Sequence, residues 1–251
     1  MIKHLVKVVV ICFTFHSLVA SELVDAWLKT YNGILKENVV VGRKEGIATT
    51  LVNYQGIRNH PDFRKALYDL ARLPAFETLS KDDQVAMWIN AYNILMIKII
   101  VENPKIHSIK QLDSAFNSIW KKKVGVVAGK TYSLDEIEHD ILRAKFQEAR
   151  VHFALNCSAI SCPDLANYAY EGKHLDQQLA HQTKRFLENK TKGMAIRGTT
   201  LYLSKIFKWY KGDFDSDPKE WLIQNGYLDR DAQVGRISYM SYNWALNALK
   251  Q

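Results

Sequence analysis

The sequence predicts an α+β protein: a single domain in which a central buried helix packs on a mainly antiparallel sheet. Three observations carry that expectation. The stretch LSKDDQVAMWINAYNILMIKIIVENP (79–104) has helix length, with Pro104 beyond its end, and is apolar nearly all round from Val85 to Val101, which places it at the centre of the domain. Short strand-like runs punctuated by glycine alternate with amphipathic helical stretches. The chain has 251 residues, 47% of them hydrophobic, enough for a proper core, and only five prolines, with no repeat or low-complexity tract to signal a linker.

The opening MIKHLVK is basic, and the apolar run VVVICFTFHSLVA that follows is too short and too interrupted by His16 and Ser17 to span a bilayer comfortably. Residues 1–21 are therefore expected to be a signal peptide and residues 22–251 the domain. Cleavage after Ala20 or after Ser21 is compatible with the small-residue rule, and the second places Val19 and Ser21 at the required positions. The expected location is periplasmic or secreted, with no stable membrane span after cleavage. Ile11 before Cys12 is too bulky for a lipid-attachment site, and cleavage would leave Cys157 and Cys162 as the cysteines of the mature chain. The formal charge of +8 includes Lys3 and Lys7, so the mature balance is about +6. Its densest basic run, Lys121–Lys123, is short, and no nucleic-acid module accompanies it, so no nucleic-acid partner is expected.

Along the domain, Leu23, Val24, Trp27, Leu28 and Tyr31 recur at helical spacing. The stretch Val39–Leu51 carries no clear period. Pro61 opens an amphipathic helix to Leu73, and Ser80 caps the apolar helix, with Asp82 and Asp83 in its first turn. Lys122–Tyr132 reads as a hairpin turned at Ala128 and Gly129, and Ser133 or Asp135 caps the helix LDEIEHDILRAKF. VHFALN reads as a strand leading into CSAISCP, followed by a helix around His174–Asn189 and strands turned at Gly198. Trp209, Tyr210 and Phe214 are expected as core aromatics, and the C-terminus as a strand passing into a short helix.

The motifs WINAYN (88–93), SLDEIEHDILR (133–143), VHFALNCSAISCP (151–163), LSKIFKWYKGDF (203–214) and SYNWALN (241–247) together resemble the family known as domain of unknown function 547, in family order over about residues 51–250. That resemblance implies a fold related to papain-like cysteine hydrolases, with a cysteine, a histidine and an acidic or amide partner as its working groups.

Cys157 is the expected nucleophile, since it follows the apolar run directly in a small-residue segment whose N–H groups (Ser158, Ala159) would form a donor nest if the chain turns there. His139, in the family motif, is preferred as base over His152, which strand alternation would turn away from Cys157. Asn93 or Glu138 would orient the histidine; Glu138 adjoins His139 and projects about 100° away on an α-helix, and it has Arg143 and Arg150 as alternative partners. Asn90, on the same helix face as Asn93, and Asn156, beside the nucleophile, are supporting candidates. No cofactor is expected: the Cys157/Cys162 spacing matches no common zinc site, and no phosphate-binding glycine turn is present. The expected activity is a cysteine-dependent hydrolase or acyltransferase acting on an amide or thioester bond of a small-molecule or peptide substrate. The alternative is a non-enzymatic exported binding module in which Cys157 and Cys162 form a structural or redox disulfide.

Overall fold

A computed structural model describes residues 21–114 and 118–249, so all of the expected signal peptide except Ser21 lies outside the described residues. The fold is α+β. Helix α1 occupies residues 21–38 and buries Val24, Trp27, Tyr31, Ile34 and Leu35, the face its apolar spacing marks; the Trp27 indole N–H donates to the Ala66 carbonyl at 2.8 Å. The stretch without a clear period is a hairpin, β1 (Val39–Lys44) and β2 (Ile47–Val52), turned at Glu45 and Gly46, both at positive φ. Its period is obscured because Val40 and Val41 are exposed. Two helices follow, α2 (Tyr54–Asn59) and α3 (Pro61–Leu70), the latter with proline in its first turn.

Helix α4 (Lys81–Glu102) is capped by Ser80, which accepts from the Asp83 N–H, and from Val85 to Val101 only Lys98 escapes burial. It is long and apolar enough to cross a membrane, yet it lies inside the protein as the core helix. The main core gathers on it from α1, α2, α3, the following hairpin and the segment 151–155. That hairpin, β3 (Lys123–Val127) and β4 (Lys130–Ser133), turns at Ala128 and Gly129 with φ of 48° and 80°, the paired positive values of a tight two-residue turn. Beyond α5 (Leu175–Glu188), strands β5 (Met194–Arg197) and β6 (Thr200–Leu203) pair antiparallel around Gly198. After α6 (Ile206–Trp209) and α7 (Pro218–Gln224), β7 (Arg236–Tyr239) pairs parallel to β6. These last elements surround a second, smaller core of Phe153, Phe186, Leu201, Phe207, Phe214 and Trp221.

Four expectations are corrected. In place of one mainly antiparallel sheet there are three small ones, of two, two and three strands. The run VHFALN is not a strand: Ala149–Phe153 forms a 3-10 helix, with the Glu148 side chain accepting from the Arg150 N–H. A continuous apolar run does not distinguish strand from buried helix. This one is apolar throughout because it sits between the cores, with Val151, Ala154 and Leu155 in one and Phe153 in the other. The helix predicted after Ser133 is a π-helix, Glu136–Phe146, entered through a reciprocal Ser133–Glu136 cap. The C-terminal segment is extended, bridging Ala245 to Ser108, Leu246 to Ala159 and Ala248 to Val52, so its backbone groups are satisfied by three separate parts of the chain.

The polar residues of α4 serve the backbone around them. Asn90 donates to the Tyr170 carbonyl (2.8 Å) and accepts from the Tyr170 N–H (2.9 Å); Asn93 donates to the Ala154 carbonyl (3.0 Å) and accepts from the Asn156 N–H (2.9 Å). Asn93→Ala strands two buried backbone groups, and we expect it to lower unfolding free energy by about 3 kcal/mol, measured by urea denaturation. A change below about 1 kcal/mol would contradict the bridging role.

Candidate active site

The segment between Ala154 and Tyr170 carries both cysteines, and α4 fixes its two ends. Lys192 fixes the middle from below. Its buried ammonium donates to the Cys162 carbonyl (2.7 Å), to Asp164 Oδ1 (2.6 Å) and to Thr49 Oγ1 (2.8 Å), and Arg185 binds the other Asp164 oxygen. Burial lowers the Lys192 pKa against the pull of Asp164, while Asp164 is held below the usual carboxylate range because the two cations and the Thr50 N–H outweigh its own burial.

At Cys157 the chain bends sharply. Ser158 takes a left-handed φ of 62°, rare for a residue with a Cβ, and is held there by its N–H donating to Asn156 Oδ1 (2.9 Å) and its carbonyl accepting from the Asn247 N–H (2.8 Å). The supporting role expected of Asn156 is thus structural: its amide also donates to the Pro163 carbonyl at 2.7 Å. The bend turns N–H groups toward the sulfurs. The Cys157 N–H donates to Cys162 Sγ at 2.8 Å, and the Ala159 N–H donates to the Cys157 sulfur.

Cys157 and Cys162 are both free thiols, the first half-buried and facing a cleft of about 410 Å³, the second buried beneath it. The Tyr242 hydroxyl lies 3.3 Å from Cys157 Sγ. Burial opposes ionisation of Cys157, but hydrogen bonds from the Cys162 thiol, Tyr242 and the Ala159 N–H outweigh it and hold its pKa below the ordinary thiol value; the nearby Glu138 carboxylate works against them. Cys162 is pushed well up, by burial first and then by its hydrogen bond to Cys157 and the charge there.

Asp135, just before the π-helix, and Glu138 and His139 on it line the same cleft, as do His152, Tyr210 and Tyr242. The i→i+5 hydrogen bonding of a π-helix widens each turn and brings neighbouring residues closer in direction than an α-helix does, so Glu138 and His139 share one wall. Glu138 is buried and accepts from the Tyr210 hydroxyl. It pairs with neither arginine: Arg143 forks onto Asp213 (2.5 and 2.9 Å), and Arg150 binds Glu148 and Asp176.

The expected histidine assignment changes with this geometry. Arg143 Nη1 donates to His139 Nδ1 at 2.5 Å, and since a guanidinium has no acceptor, that nitrogen's lone pair is occupied; the proton sits on Nε2, facing Asp135 at 3.6 Å. His139 therefore has no free base nitrogen. His152, which strand alternation would have turned away, faces the cleft because its segment is helical. Its Nε2 donates to Asp213 Oδ2 at 2.7 Å while its ring stacks on Tyr210 at 4.0 Å. His152 first, then Arg143, hold the Asp213 carboxyl far below its usual range against partial burial. Asn93, expected to orient a histidine, has both ends of its amide committed to the backbone. Neither histidine is within hydrogen-bond distance of Cys157 Sγ. Asp213 and Tyr242 are the site residues sequence reasoning missed, although both lie inside quoted motifs. Of the three aromatics expected in the core, Phe214 is buried in the smaller core, Tyr210 packs against it while lining the cleft, and Trp209 is 46% exposed.

Among the described residues no group of three or more His, Cys, Asp or Glu side chains is arranged to hold a metal. Fold and site together define an α+β protein with two thiols at the floor of an aromatic cleft. Residues 76–187 match the family model described as "Protein of unknown function, DUF547". The match is shorter than the motif span read from the sequence and leaves Tyr210, Asp213 and Tyr242 outside it. No curated protein and no solved structure matches the chain, so the papain-like fold implied by the resemblance has no structural match behind it.

Because the Tyr242 hydroxyl stabilises the Cys157 thiolate, Tyr242→Phe should move the pH profile of Cys157 alkylation by iodoacetamide to higher pH. A profile that stays put or moves down would show that Tyr242 does not donate to the sulfur.

Proposed function

We propose that the cleft is a cysteine-centred active site with Cys157 as the attacking sulfur, and that its reaction is thiol–disulfide exchange with Cys162 as the resolving thiol. The observation that carries this reading is the pairing of two unequal free thiols: the Cys157 N–H donates to Cys162 Sγ at 2.8 Å, and the half-buried Cys157 has a lowered pKa while the buried Cys162 has a raised one. The Cys157 thiolate attacks one sulfur of a substrate disulfide, and the other sulfur leaves with the electron pair and takes a proton. Cys162 then gives up its proton and attacks the Cys157 sulfur of the mixed disulfide, releasing the second substrate thiol. The substrate gains two electrons and the protein is left with a Cys157–Cys162 bond, which an external thiol reductant returns to the dithiol. The basic and apolar opening of the sequence favours an exported protein, where disulfide substrates are common.

In this scheme Cys162→Ser should trap a covalent mixed disulfide with a model disulfide such as oxidised glutathione, Cys157→Ser should trap none, and the wild type should turn over. Equal trapping by both variants, or failure of the wild type to form the internal bond on mild oxidation, would sink the exchange reading.

A second reading, the cysteine hydrolase or acyltransferase, is favoured by one observation, the His152–Asp213 pair. Asp213 holds Nε2–H, leaving Nδ1 as a base nitrogen in the cleft that Cys157 faces. Here Cys162 is dispensable. Hydrolysis of a small thioester that survives Cys162→Ser and is lost in both Cys157→Ser and Asp213→Asn would select this reading over exchange.

A further inference from the structure

The rim of the cleft is built from aromatic rings, of which only Tyr242, through its hydroxyl, enters the chemistry described above. Trp209 and Trp244 stack at 5.8 Å and 28°, Tyr242 lies 4.8 Å from Trp209 and 4.6 Å from Trp244, and Trp120 meets Trp244 edge-on at 6.0 Å. All four line the cleft, and they come from three separate stretches of chain. Trp209 remains 46% exposed, although Phe207 and Phe214 on either side of it are fully buried in the smaller core. The rim is joined to the chemistry, because the Tyr242 hydroxyl that contacts the Cys157 sulfur belongs to a ring packed against both Trp209 and Trp244.

The charges around the rings narrow what they would accept. Lys110 places its ammonium 4.7 Å from the Trp244 ring and 5.4 Å from the Trp120 ring, the position a cationic ligand would take in an aromatic cage. That position is therefore filled from within the protein. Asp113 lies 3.5 Å from the same ammonium, which is half exposed at the rim and keeps donors for an incoming anion. The open ring face and the rim cation thus complement a flat ring bearing an acid. Asp135 and Glu138 lie on the π-helix wall, so an anion is favoured at the Lys110 side and opposed there.

The geometry points to a substrate subsite for a planar aromatic group carrying a carboxylate, its ring laid on Trp209 and Trp244 and its acid on Lys110, beside the Cys157 sulfur. This deepens the proposed function by naming the class of substrate, and its recognition half is separable from the chemistry.

The test uses the full chain carrying Cys157→Ser, titrated calorimetrically with naphthoate, cyclohexanecarboxylate and naphthylmethylammonium. Naphthoate should bind at least about tenfold more tightly than either comparator, and Trp209→Ala or Lys110→Met should each weaken it by about tenfold, the scale of one aromatic or cation contact. Trp209 and Lys110 are exposed, so neither variant threatens the core. Equal binding of cyclohexanecarboxylate would overturn aromatic recognition, tighter binding of the ammonium would overturn the role of Lys110, and no binding by any probe would overturn the subsite. Naphthoate binding by Cys157→Ser, alongside a wild type that catalyses no disulfide exchange, supports the subsite while removing the exchange reading.

Discussion

Helix α4 has almost no exposed face, and much of the rest follows from that. A 22-residue helix buried nearly all round must satisfy any polar side chain it carries inside the protein, and Asn90 and Asn93 do so by clasping the backbone at Tyr170 and at Ala154 and Asn156. Each clasp satisfies one donor and one acceptor that would otherwise be buried without partners, at about 1–3 kcal/mol apiece. The cysteine segment is thereby tied at both ends to the most rigid element available. Lys192 and the extended C-terminal chain hold its middle, so Cys157 occupies a position set by three distant parts of the sequence.

That rigidity decides which chemistry the bend at Ser158 favours. In a cysteine hydrolase the N–H groups after the nucleophile are aimed at a developing oxyanion. Here the Ser158 N–H is held by Asn156, the Ile160 N–H by the Ala245 carbonyl, and the N–H groups of Cys157 and Ala159 point at the two sulfurs. Donors aimed at sulfur stabilise a thiolate before any substrate arrives. An oxyanion formed at Cys157 would need donors from elsewhere, and this inventory places thiol exchange ahead of acyl transfer despite the well-formed His152–Asp213 pair.

The elements legible in the sequence were those governed by local rules. Ser80 and Pro61 mark helix starts, Ala128–Gly129 and Gly198 mark turns, and the apolar circumference of α4 marks the core. Cys157 and the neighbourhood of Glu138, His139 and His152 were also legible. The choice between the histidines was not, because it rested on strand alternation in a run whose uniform burial comes from two cores meeting across it, a tertiary fact. The π-helix was hidden for a related reason: Glu136–Phe146 has an ordinary helical pattern, and nothing in its spacing announces i→i+5 bonding. Asp213 and Tyr242 are far from Cys157 in sequence, and only the fold shows that they meet its cleft.

The unequal thiols imply an order of events. In the resting protein the Cys157 pKa is held below the ordinary thiol value, while burial first, and then the hydrogen bond to Cys157 and the charge there, raise that of Cys162. Once Cys157 is bound in a mixed disulfide it carries no charge and no longer takes the Cys162 proton as a hydrogen bond. Two of the three influences raising Cys162 then vanish, while the Lys192 ammonium, bound to the Cys162 carbonyl, continues to favour a nearby negative charge. In the proposed exchange, attack by Cys162 would thereby be held back until there is a bond for it to resolve, and the same contact that pairs the thiols would sequence the two steps.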